Sequence, residues 1–149
     1  MNDHAGPDWV DDAARRIRAR LAAVTERGAI GHVDWEAHNL DWADGVPTMV
    51  HDWDSLAIRP EPAIAGAAAT VYPSVAGGAV AATIDQTTAF LDAYHYHRPE
   101  WSGADVEDAW AAGLWVLLYN AKKESLGGGT GYLKHLERDL DQRLRHAGL

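Results

Sequence analysis

The chain of 149 residues contains no cysteine. That absence removes disulfide frameworks, thiolate zinc sites and cysteine nucleophiles in one step, and it fits a reducing cytoplasm. Long apolar runs are also lacking. The longest are short and alanine-rich, so no membrane span is expected. The opening "MNDHAGPDWVDDAARR" has no apolar stretch of the kind a signal peptide needs, and a cytoplasmic location is the expectation. Basic residues are few: 13 Lys and Arg stand against 22 Asp and Glu, a net charge of −9. Such a chain repels a polyanion, so nucleic acid is not an expected partner. It attracts a cationic small substrate, and the same charge also serves solubility.

The residues present suffice for one domain, residues 1–149, with a real core. Hydrophobic residues make up 47% and charged residues 23%, which places the chain with globular proteins rather than disordered ones. Trp9, Ala13, Ile17, Leu21 and Val24 recur on one helical face and predict a helix over 8–27, ended by Gly28. Residues 29–58 change character. "ADG" at 43–45 is a turn signal between "NLDW" and "VPTMVHDW", so a small hairpin is expected there, with Pro47 at a strand start or edge. It is the one convincing strand region.

After Pro60 and Pro62 the pattern is helical again. "AIAGAAATVY" reads as a short helix stopped at Pro73. "GG" at 77–78 is a break. Residues 82–97 carry Ile84, Thr88, Leu91 and Tyr94 at helical spacing, and Pro99 stops them. Ser102 with Asp105 forms a capping signal for a helix striped by Val106, Trp110, Leu114, Leu117 and Ala121. "LGGGTG" at 126–131 reads as a loop. It lacks the Lys-Ser/Thr ending of a phosphate loop and follows a helix rather than a strand. Leu133, Leu136, Leu140 and Leu144 mark a last helix, followed by Gly148. The expected fold class is α+β and mostly helical: one helix, an acid-rich loop and hairpin, then four helices.

Chemistry belongs where this pattern is irregular. "IGHVDWEAHNLDW", residues 30–42, crowds acids, an amide and histidines between tryptophans, and "HDWDS" follows at 51–55. Asp34 and Asn39 lie five apart, and a hairpin brings Asp52 beside them. A carboxylate and an amide oxygen are hard ligands suited to Mg²⁺. A second carboxylate can take a proton from a hydroxyl nucleophile. Trp35, Trp42 and Trp53 are expected to pack and stiffen this loop, and Trp9, Trp110 and Trp115 to be core. His95 and His97, two apart on a helix, point to different faces and do not make a metal pair.

"GHVDWEAHNLDW", the hairpin and "VHDWDSL" together resemble the catalytic segment of the aminoglycoside phosphotransferase-like kinases, a family that includes choline and homoserine kinase-like enzymes. Its pattern is H-G-D-x-H-x-x-N, then after a short hairpin D-W-D/E or D-F-E. His32, Asp34 and Asn39 match the first part, and Asp52, Trp53 and Asp54 the second. The resemblance covers essentially the whole chain and implies a protein-kinase-like C-terminal lobe with one small β-hairpin carrying the site. It implies Asp34 as catalytic base and Asn39 and Asp52 as Mg²⁺ ligands, with ATP as phosphate donor and a small-molecule hydroxyl as acceptor. His32 is expected to order the loop through hydrogen bonds, and Asp54 to support the site. Val33 stands where the family usually has Gly, and Glu36 where it usually has His. Glu36 thus adds a negative charge suited to a metal or an amine. His51 replaces a common aliphatic residue before Asp52.

Kinases of this type grip ATP with an N-terminal lobe that supplies a loop over the phosphates and a strand lysine. Only 29 residues precede the segment around His32, so the resemblance implies a C-terminal lobe alone, truncated or half of a split protein, and inactive by itself. The other expectation is a non-catalytic remnant that binds a separately encoded lobe or itself through apolar surface left bare around the hairpin.

Overall fold

The computed structural model describes residues 6–25, 28–75, 81–127 and 131–149. The protein is α+β and mostly helical. In chain order it runs α1 (Asp8–Ala22), β1 (Gly28–His32), β2 (Leu40–Ala43), β3 (Val46–Val50), β4 (Leu56–Pro60), α2 (Glu61–Val71), α3 (Ile84–Tyr96), α4 (Gly103–Gly127) and α5 (Gly131–His146). Short 3₁₀ turns at Ala37–Asn39 and Trp53–Ser55 interrupt the strand region.

The helical base is built around α4. Its Ala109 to Leu114 are buried without a break, and Leu117, Leu118 and Ala121 continue the buried surface. A helix hidden on most of its circumference needs several partners, and α1, α2 and α5 all pack on it. Small residues allow the closest approach. A Cβ on Gly66 of α2 would fall on the Ala109 carbonyl of α4. α1 runs antiparallel to α4: Asp11 pairs with Lys122 at one end (2.9 Å) and Arg20 with Asp108 at the other (2.7 Å). Ser102 and Asp105 cap α4 as the sequence indicates, each bonding the other's backbone N–H. Glu124 reaches forward to accept from the backbone N–H groups of Gly131, Tyr132 and Leu133, capping α5.

Several sequence expectations are corrected. α1 stops at Ala22 rather than 27, and Gly28 opens a strand instead of closing the helix. The hairpin is real, with Asp44 and Gly45 both at positive φ (52° and 76°), the geometry of a tight two-residue turn. It is not the sole strand pair, however. β1 and β4 form a second antiparallel ladder, with Ile30 opposite Ile58 and His32 opposite Leu56. Gly31 suits β1 because a Cβ there would meet the Ile64 side chain of α2 at 2.7 Å and force it to shift. Trp110 is core, but Trp115 is 38% exposed. Gly127 and Gly131 belong to helices; the rest of the glycine-rich link, 128–130, and the break at 77–78 lie outside the described residues.

Candidate functional site

The two ladders are nested. β1 and β4 enclose the segment 33–55, and β2 and β3 close an inner hairpin within it. Two stretches lie between outer and inner ladders, 33–39 and 51–55, and the pairing forces them side by side. Val33 N–H donates to Ser55 O (3.0 Å), and His51 N–H donates to Asn39 O (2.8 Å). The His32 ring Nε2 donates to His51 O (2.9 Å), so His32 ties one stretch to the other. The pairing thus forms a rim of two stretches, with Asp34 and Asn39 on one and Asp52, next to the His51 that bonds Asn39, on the other.

Each side chain on this rim has a defined local cause. Asn39 is buried, and its Nδ2 donates to the backbone oxygen of Asp34 (2.9 Å) and to its carboxylate (3.2 Å). That fixes the amide with Oδ1 as its remaining acceptor atom. Asp52 is exposed and sits in the left-handed region at φ 60°, ψ 47°. An aspartate tolerates that conformation but does not prefer it, and such residues concentrate where a side chain must be aimed. Its carboxylate accepts from Ser55 Oγ at 2.9 Å. Hydrogen bonding with the Asp54 carboxyl, and then with Ser55, holds the Asp52 carboxyl below its usual value.

Glu36 is half-buried. Burial first, and the neighbouring Asp34 charge second, raise its carboxyl above the ordinary value, while His38 and Ser74 pull it back. The Glu36–His38 contact is 3.2 Å. Ala37 N–H donates to Ser74 O at 3.0 Å, which anchors the loop to the end of α2. Tyr132, from α5, lies near Ser74; burial chiefly, with the Glu36, Glu124 and Asp34 charges, raises its pKa, while Ser74 pulls it back. Sequence reasoning missed Ser74 and Tyr132, because only the fold carries them to the loop. Nothing in their local sequence marks them.

The tryptophans divide. Trp35 packs edge-on to the His32 ring at 5.8 Å. Trp42 and Trp53 are 56% and 60% exposed, so they do not stiffen the loop by burial, although Trp53 still lies edge-on to His32 at 6.2 Å. A cavity of about 290 Å³ opens between this loop and the helices, lined by His32, Trp35, Ile64, Phe90 and Tyr94. At its edge the Tyr94 hydroxyl donates to Glu61 (2.7 Å), which also receives Arg98 (2.8 Å). Burial and that carboxylate push Tyr94 up to about 12.

Among the described residues, no three His, Asp or Glu side chains converge as a metal-binding group. Asn39 and Asp52 offer one amide and one carboxylate. That donor set fits an ion such as Mg²⁺, which keeps several waters and takes its other ligands from phosphate oxygens. It does not fit a protein-enclosed Zn²⁺ or Ca²⁺. No family model matches the chain, and neither a curated protein nor a solved structure is similar to it.

Proposed function

We propose that this protein is the C-terminal, acceptor-side lobe of a small-molecule kinase of the aminoglycoside phosphotransferase-like type. It works in Mg-ATP-dependent phosphorylation of an alcohol. The observation that carries the reading is the nested pair of ladders. It supports the reading by pairing the stretch that holds Asp34, bonded by the buried Asn39 amide, with the stretch that holds Asp52 in left-handed backbone. Phosphoryl transfer needs little more from this side of a site than a base and metal ligands in fixed positions.

In this mechanism Asp34 accepts the acceptor hydroxyl proton, and Asn39 holds the carboxylate in place through its Nδ2. Asn39 Oδ1 and the Asp52 carboxylate would hold Mg²⁺, which would neutralise charge on the phosphates. The cavity beside Trp35 and Phe90 receives the apolar part of the acceptor, and Glu36 favours one that carries an amine. The phosphate-covering loop and its lysine must come from further polypeptide, in cis or in trans.

A second reading draws on the same region. Ile30 (73% exposed) and Ile58 (64%) are cross-strand neighbours that make a bare apolar patch on the outer ladder, and Trp53 (60%) and Met49 (55%) are also exposed in this region. In that reading the chain is a non-catalytic module that uses this face to bind a partner lobe or itself. The discriminating experiment measures ATP consumption over a panel of amino alcohols, with the chain alone and with the polypeptide encoded next to it. Turnover that needs both parts and an alcohol supports the kinase reading. A stable complex with no turnover supports the interaction module.

A further inference from the structure

A cleft of about 410 Å³ lies on another part of the molecule, between the end of α1, the β4–α2 junction and α4. Its shape follows from side-chain size. Ala63 and Ala67, one turn apart on α2, and Ala112 on α4 leave a hollow, and Leu21, Val33 and Trp115 stand around it. Protein interiors are close-packed, and a hollow this large falls within the range of small-molecule sites. Trp115 remains 38% exposed on α4.

Two charged residues edge the cleft, and their states differ. The Asp108 carboxylate is paired with Arg20 Nε at 2.7 Å. Arg59 donates only to the neighbouring Ile58 carbonyl at 2.8 Å and has no carboxylate partner among the described residues. What the cleft offers a ligand is therefore an apolar body site and one guanidinium. From this we infer that the cleft binds a small amphipathic carboxylate, with an aryl or acyl body against Trp115 and the alanines and its carboxylate on Arg59. A guanidinium presents paired N–H donors that match a carboxylate. The net charge of −9 opposes anions at a distance. That opposition is screened over roughly 8 Å at physiological salt, and at the cleft edge Asp108 is paired with Arg20, which also pairs with Glu107 at 3.1 Å. One wall is Val33, whose N–H anchors the loop carrying Asp34 (3.0 Å to Ser55 O), so an occupant touches that loop from behind.

The test uses fluorotryptophan-labelled protein and fluorine NMR, with the Trp115 signal assigned by Trp115→Phe. Three probes share one body: phenylbutyrate, phenylbutanol and phenylbutylamine. Phenylbutyrate should shift the Trp115 signal saturably and bind about tenfold more tightly than the alcohol, as one charge-assisted pair permits. The amine should bind most weakly. Arg59→Ala should erase the preference for the acid over the alcohol, and Ala67→Phe should abolish binding of all three. Both variants are checked for native circular dichroism, and Ala63→Leu replaces Ala67→Phe if the latter does not fold. An unmoved Trp115 signal, tighter binding of the amine, or an acid preference that survives Arg59→Ala overturns the proposal. So does a Trp115 shift on concentrating the protein without probe, which would mean that a second copy covers the cleft.

Discussion

At the scale of single residues, the proposed kinase reading gives Asp34 and Asp52 separable duties, and substitutions should divide them. Asp34→Asn keeps the shape of the side chain and its contact with Asn39 but cannot take a proton. In the complete enzyme it should lower kcat by roughly a hundredfold or more while nucleotide affinity barely moves, because the metal ligands remain. Steady-state kinetics with unchanged kcat would remove Asp34 from the base role. Asp52 bears a second signature. Its backbone sits at φ 60°, which glycine adopts freely. Asp52→Gly should therefore leave stability unchanged or raise it by up to about 1 kcal/mol in urea unfolding, even as Mg²⁺ affinity is lost. A marked loss of stability would show that the aspartate serves the fold rather than a ligand.

His135 supplies a pH dependence away from the site. Arg143 is buried, and its Nη2 lies 3.0 Å from His135 Nε2. A guanidinium only donates, so His135 accepts and is neutral. Burial first, then the Arg143 charge, lower its pKa from 6.5, while Asp139 at 3.5 Å pulls the other way. The unfolded chain thus takes up a proton near pH 6.5 that the folded chain refuses. The stability is present above that pH and is lost as pH falls below it, at up to about 1.4 kcal/mol per pH unit. His146 acts in the same direction, and Glu36, raised from 4.5, acts in the opposite one. The variant comparison is therefore the clean readout. His135→Gln should flatten the slope of unfolding free energy as pH falls below 6.5. An unchanged slope would mean that the histidine is not held neutral.

At the scale of elements, the contact between α2 and α4 sets a sharp test of packing against propensity. Alanine is a better helix former than glycine by about 1 kcal/mol. Propensity alone therefore favours Gly66→Ala. The crossing forbids it: the new Cβ would land on the Ala109 backbone, which cannot swing away as a flexible side chain would. Gly66→Ala should destabilise by about 1–3 kcal/mol in urea unfolding, as overpacked cores do. A stabilised variant would mean that the helices cross less closely.

The same scale explains what was legible in the sequence. The Ser102–Asp105 cap, the stripes of α4 and α5, and the Asp44–Gly45 turn all rest on neighbours within a few residues, so pattern reading reaches them. β1 does not. "GAIGH" is short and glycine-rich, and it becomes a strand because β4 pairs with it and Ile64 fills the space over Gly31. The Asn39–Asp34 hydrogen bond and the pairing of Asn39 with His51 follow from residues close to the hairpin in sequence. Ser74 and Tyr132 reach the loop through the ends of α2 and α5. That juxtaposition is a property of helix packing, and no local signal carries it.

At the scale of the whole molecule, a helical base carries a small sheet region whose isoleucines, Ile30 and Ile58, lie bare. No helix among the described residues is long and apolar enough to cross a membrane. The central claim is that the rim formed by 33–39 and 51–55 binds a metal-phosphate group through Asn39 and Asp52. The most direct measurement is a Mg²⁺ titration by two-dimensional NMR, with and without ATP, on wild type and Asp52→Ala. Binding will be weak in the chain alone, because the groups that grip the phosphates from the other side are not part of this rim. The wild type should nevertheless show saturable shifts centred on the Asn39 side-chain amide and the Asp52 and Asp34 backbone, larger with ATP and lost in Asp52→Ala. Equal Mg²⁺ affinity in the two proteins, or shifts centred away from these three residues, would contradict the account.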